Sequence, residues 1–189
     1  MALFGISVRR RRDRPSDAVR GALDPEELVM GRAVSVDGTE LAVTRRRLLV
    51  LPVGQQPVRS LPWYRVAKVT LRDATLTVVG LEVVGELPGG GEIVRDATPD
   101  AFSLAAPARL TDQVHARVRR SVVASRHLPW PGGGGWVTLR RVAGRDGVLL
   151  QLRLDPGARP DNPGLTAAAE QVGAELSGQE PTDATGVDD

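Results

Sequence analysis

Cysteine is missing from the 189-residue chain, lysine occurs once, at Lys68, and aromatic residues number six. Without cysteine there is neither a disulfide framework nor a thiolate metal site, which fits a reducing compartment. So few aromatics argue against a platform on which successive bases of a single strand stack. No apolar run approaches the ~20 residues of a transmembrane helix. The apolar residues Leu3, Phe4, Ile6 and Val8 precede the first arginines, the reverse of a secretory signal, so the cytoplasm is expected. His115 and His127 lie in no motif that would activate a nucleophile. Asp155 and Asp161 lack calcium-loop spacing. The glycines at 132–135 lack the lysine and hydroxyl of a phosphate loop. These features point to a non-enzyme with no cofactor and no metal.

The shortage of lysine shapes the charge as well. Net charge is +2, yet the isoelectric point is near 9.9. Only the α-amino group, Lys68 and Tyr64 titrate between about pH 7 and 10, so a small surplus persists upward. Along the chain the charge is uneven: residues 1–20 carry six Arg against two Asp, and residues 170–189 carry six acids and no base. Residues 1–23 are expected to form a disordered basic arm and 179–189 a disordered acidic tail.

Residues 24–127 read as one domain. Asp24-Pro25-Glu26-Glu27 carries a helix-start signal. Segments 33–36 and 41–44 alternate around Asp37-Gly38, a tight-hairpin signal. Segments 48–51, 58–61, 68–72, 76–83, 93–94 and 102–105 follow, with a bulge expected beside Gly80, where the alternation changes parity. About seven short strands at this spacing predict an antiparallel barrel or sandwich. Residues 108–126 then set Leu110, Val114, Val118 and Val122 on one stripe, a single amphipathic helix suited to closing a barrel end. His127 falls just past that helix, where the dipole favours a cation.

The run Leu41-Ala42-Val43-Thr44-Arg45-Arg46-Arg47-Leu48-Leu49-Val50, the run Leu61-Pro62-Trp63-Tyr64-Arg65-Val66 and the lone helix resemble bacterial pleckstrin-homology-like (PH-like) domains. "T-x-x-R-L" and "I-P-W-x-x-I" elements recur in that group, and the resemblance covers residues 28–127. It extends in kind to proteins of high-GC bacteria that add a Trp-containing hairpin and a final helix. It implies an α+β, mostly β fold: a barrel or sandwich of about seven antiparallel strands closed by one amphipathic helix. It also implies binding of lipids or protein partners rather than a fixed chemistry. Phosphoinositide-binding members carry basic residues around the first hairpin loop, whereas here that turn is the short, acidic Asp37-Gly38.

Residues 128–178 form an extension, with strands at 136–142 and 148–154 and an Ala-rich helix at 165–176. A two-stranded hairpin is marginal alone, so it is expected to pack on the barrel or pair with another chain.

Four groups are candidates for contact. Arg9, Arg10, Arg11 and Arg12 suit phosphates of nucleic acid or anionic lipid, helped by shallow insertion of the apolar residues before them; the competing reading is a solvated arm. Phosphorylation of Ser16 would weaken such an arm. Arg45, Arg46 and Arg47 present planar forks suited to an anion, or else a charged strand end that resists edge pairing. Arg119 and Arg120, with Arg117 and Arg126, form a solvated helix face or meet an acidic partner. Trp130, between two prolines, anchors a partner or packs internally, while Trp63 reads as core. Together these residues predict a non-enzymatic module that binds a protein partner, cytoplasmic and peripheral to the inner membrane face. Electrostatic binding of DNA or RNA through the arm and Arg45, Arg46 and Arg47 is the alternative.

Overall fold

The computed structural model describes residues 14–105 and 108–178. Arg9, Arg10, Arg11 and Arg12, the apolar residues before them and the acidic tail lie outside the described residues. A short helix α1 (Asp17–Gly21) opens the described chain, and Ser16 is its N-cap, its Oγ accepting from the Val19 N–H at 3.2 Å. Asp24 to Glu27 makes one turn and no helix, closed by the Glu27 N–H donating to the Asp24 carbonyl at 2.9 Å.

Four antiparallel strands follow in spatial as well as chain order: β1 (Gly31–Val34), β2 (Glu40–Val43), β3 (Arg47–Leu51) and β4 (Arg59–Pro62). The central pair is apolar on consecutive positions because both of its faces are covered. Leu41, Val43, Leu48 and Val50 enter the main core, while Ala42 and Leu49 pack outward under Val19 of α1. Gly38 closes the β1–β2 turn with φ of +86°, a conformation that glycine adopts without strain.

A 3-10 turn at Trp63–Arg65 carries the chain into a larger sheet. Its members are β5 (Val66–Arg72), β6 (Thr75–Glu86), β7 (Glu92–Asp96), β8 (Asp100–Ser103), β9 (Val122–Leu128), β10 (Gly135–Arg141) and β11 (Val148–Leu154). The order is β5-β6-β7-β11-β10-β9, with β8 paired to β6 on the edge opposite β5. The bulge expected in the 76–83 strand beside Gly80 falls instead on its partner, where β5 carries the register shift between Val66 and Lys68 opposite Val79 and Gly80. A second shift between Val83 and Gly85 lets the 12-residue β6 leave one core and join another. Helix α2 (Ala108–Ser121) places Leu110 and Val114 in the first core, and α3 (Pro163–Gly178) covers the second with Leu165, Ala169 and Leu176. The architecture is α+β and mostly strand, a PH-like barrel or sandwich with a curled sheet and a C-terminal helix.

Residues 14–23, expected as part of a disordered arm, instead carry α1, anchored by the fully buried Val19, and three further features differ from the sequence reading. Eight strands, not seven, precede α2. The large sheet is mixed, because β11 pairs with β7 in parallel, so the hairpin is continuous with the barrel sheet. Helix α2 ends at Ser121, and Val122–Leu128 is strand. A stripe of Val118, Val122 and Ser125 fits a helix, but the short run Val122-Val123-Ala124 suits a strand equally well, and short apolar runs do not separate the two by period. Pairing decides it: as strand, 122–128 gives β10 a second neighbour and packs Val123, Ala124 and Leu128 against the second core. The boundary expected after residue 127 therefore falls inside β9.

The β9–β10 turn is tight enough to test this. A Cβ on Gly134 would lie 2.1 Å from the Leu128 carbonyl oxygen. Gly134→Ala is expected to lower stability by about 2 kcal/mol, measured by urea unfolding; an unchanged midpoint would contradict the pairing.

Candidate functional site

The turn between β2 and β3 is built on Thr44, which is fully buried. Its Oγ accepts from the backbone N–H groups of Arg46 and Arg47 at 3.1 Å and donates to Glu27 Oε1 at 2.5 Å. Trp63, 4% exposed, locks the turn from the other side. Its indole Nε1 donates to the Thr44 carbonyl at 3.1 Å and its backbone N–H to the Arg46 carbonyl at 3.2 Å.

Beside this turn lies a cleft of about 230 Å³. Arg45 and Arg46 approach it from the turn, Trp63 and Tyr64 form a wall, and Arg117, Arg120 and Ser121 come from the last turns of α2. Arg141 and Ala143, at the end of β10, close the far side. Ser121 links the cleft to a deeper cation. Arg140, 4% exposed, donates from Nη1 to Ser121 Oγ at 2.9 Å, and Ser121 donates to the Val118 carbonyl at 2.7 Å.

The charges in this cleft are poorly matched. Asp24 reaches Arg46 at 3.0 Å. Among the described residues no carboxylate pairs with Arg45, Arg117, Arg120, Arg140 or Arg141. Burial lowers the pKa of Arg117, and repulsion from Arg120 and Arg45 adds to the effect. Burial, then repulsion from Arg153, lowers Arg140 to about 10, so it is still charged at neutral pH. The Nε atoms of both Arg117 and Arg140 are buried and make no hydrogen bond among the described residues. Arg117 Nη2 meets the soft acceptor Met30 Sδ at 3.0 Å.

The arginine triplet therefore divides. Arg45 and Arg46 line the cleft, while Arg47 turns away into a buried pair, its Nη2 donating to Glu27 Oε2 at 2.5 Å and to the Ala22 carbonyl at 3.1 Å. Of the α2 pair, Arg120 lines the cleft and Arg119 is exposed outside it. Arg126 sits on β9 and pairs with Glu175 at 2.5 Å. Trp130 is half-buried against the second core, close enough to α3 that a Cβ on Gly164 would lie 2.8 Å from its ring. His127 is not at a helix end: it lies on β9 beside Trp136, with Nε2 at 2.9 Å from Asp155 Oδ2.

Sequence reasoning missed Arg140, Arg141, Tyr64 and the seat at Ser121. Arg140 and Arg141 are nearly a hundred residues from Arg45, and only the sheet order brings them together. A second cavity of about 510 Å³ near Trp136 is charge-compensated, since Arg153 holds Asp96 through two bonds of 2.6 and 2.7 Å. Among the described residues no group of three or more His, Asp or Glu is placed to hold a metal ion, and no helix is long and apolar enough to cross a membrane. Comparison with protein-family models, with curated proteins and with solved structures finds no match.

The Glu27–Arg47 pair sets a measurable pH dependence. Burial raises the Glu27 carboxyl, but hydrogen bonds from Arg47 and Thr44 outweigh it and hold the carboxyl below its ordinary value of 4.5. Its contribution is complete above that value and is lost as pH falls through the lower folded pKa. Arg47→Met is expected to cost about 3 kcal/mol at pH 7, a difference that narrows below about pH 4. Urea unfolding across that range checks it; a constant difference would contradict the pair.

Proposed function

We propose that the chain is a non-enzymatic PH-like interaction module that binds a protein partner by seating an acidic group of that partner in the arginine cleft. The observation that carries this reading is the convergence of five guanidinium groups from three separate chain segments on one recess, with Asp24 as the single carboxylate paired there among the described residues. Like charges held together cost stability unless an anion joins them, and arginine forks accept oxyanions in the bidentate manner that fixes a partner's orientation. The rim supplies apolar contact as well, since Met30 is exposed next to Arg117.

The resemblance to bacterial PH-like domains agrees with a binding role, and placement at the inner membrane face belongs to the same proposal. The cleft lies at the opposite end of the four-stranded sheet from the acidic Asp37-Gly38 turn. Arg47, committed to Glu27, is not available to a partner.

The test is affinity capture from the source cell with the full chain, with Arg117→Glu/Arg141→Glu and with Arg119→Glu as the control outside the cleft. A protein retained by wild type and Arg119→Glu, lost from the double variant and bound directly once purified, is the expected result. Identical capture by all three, or capture abolished by nuclease, would overturn the proposal, the second in favour of nucleic acid.

A further inference from the structure

We infer that the group the cleft is built for is a phosphate-monoester dianion, carried on a side chain of the protein partner. This deepens the reading above and rests on it. A carboxylate brings one negative charge and two acceptor oxygens, whereas a phosphorylated side chain brings nearly two charges and three oxygens. Five arginines line the recess, Arg140 lies beneath Ser121, and Asp24 offsets one of the six. One carboxylate would leave most of that charge unmatched, and a dianion removes twice as much.

The hydrogen-bond inventory points the same way. Arg117 lines the cleft with its Nε buried and without a partner among the described residues, and behind the lining Arg140, more than nine-tenths buried and bonded to Ser121, has an Nε unpartnered among them as well. Donors in excess of acceptors on the protein side call for a ligand rich in acceptors and free of donors, which an ionised phosphoryl group is. The cleft's 230 Å³ holds one such group and its carrier side chain, with Trp63 and Tyr64 as the apolar wall.

A protein carrier fits better than a lipid surface. Asp24 is exposed at the rim, paired with Arg46. A continuous anionic bilayer would press against Asp24, while a single phosphorylated side chain enters the recess beside it.

The experiment uses the full chain and short blocked peptides with a central phosphoserine, phosphotyrosine, glutamate or serine, read by isothermal titration, with inorganic phosphate as competitor. One of the two phosphorylated peptides is expected to bind at least tenfold more tightly than the glutamate peptide and to be displaced by inorganic phosphate. Arg117→Met and Arg141→Met should each weaken it by about tenfold, and Arg119→Met should leave it unchanged. Because Arg141 is exposed, its variant tests the site even if substitution at Arg117 disturbs α2. Equal binding of phosphorylated and glutamate peptides would overturn this inference and leave the acidic-group reading standing. Binding of neither peptide would remove both. Inorganic phosphate bound without any phosphopeptide, or vesicles of phosphatidic acid bound through the same arginines in place of the peptides, would overturn the protein carrier.

Discussion

The 3-10 turn at Trp63–Arg65 ties both sheets and α2 together. It is the passage from the four-stranded sheet to the seven-stranded one, and each of its residues ties down a different neighbour. Trp63 holds the β2–β3 turn through its indole and backbone N–H groups, and its carbonyl faces the Ser121 hydroxyl. The Tyr64 carbonyl accepts from Gln151 of β11, and Arg65 pairs with Glu92 of β7 at 2.6 Å. Gln151, 1% exposed, also donates to Glu92, so the turn is clamped to the parallel β7–β11 pair by a connected polar network. Such a network is favourable only when its members are satisfied, which makes the junction specific as well as stable.

This junction produces the cleft as a consequence. Fixing Trp63 sets Arg45 and Arg46 on one side, fixing β11 sets β10 with Arg140 and Arg141 on the other, and α2 ends between them. The C-terminal carbonyls of α2 favour the cations of its last turn, and that partly explains why Arg120 can sit near Arg45 and Arg117. It does not explain Arg140, whose charge is buried behind Ser121 without a carboxylate. Buried charges are ordinarily paired, and departures from that rule concentrate where a ligand completes the pairing. Contrast within the same molecule sharpens the point: Arg47, Arg65 and Arg153 each found an acid, and none of them lines the cleft.

Much of the fold was legible in the sequence because local chemistry and tertiary context agree. Asp37-Gly38 marked the first hairpin and the stripe of Leu110 and Val114 marked a core helix, while the parity change at Gly80 marked an irregularity that its partner β5 carries. Legibility failed where two periods fit the same residues. Val118, Val122 and Ser125 satisfy a helical stripe, and only the edge of β10 selects strand from Val122 onward. The parallel β7–β11 contact has no local signal, since register between distant strands is decided by the cores they bury. The site was half legible for the same reason. Arg45, Arg46 and Arg120 stood out as charge clusters, but nothing local distinguishes Arg47, which meets Glu27, from its two neighbours, or joins Arg141 to them.

In the proposed reading the cleft receives an anion at Arg117, with Arg140 behind Ser121 responding to it. The most direct measurement follows the arginine Nε–H resonances of the full-length protein during titration with inorganic phosphate. Signals of Arg117 and Arg140 should move together with a single dissociation constant, while those of Arg119 and of the paired Arg47 stay in place. Movement confined to exposed arginines outside the cleft, or no movement at Arg117 and Arg140, would contradict it.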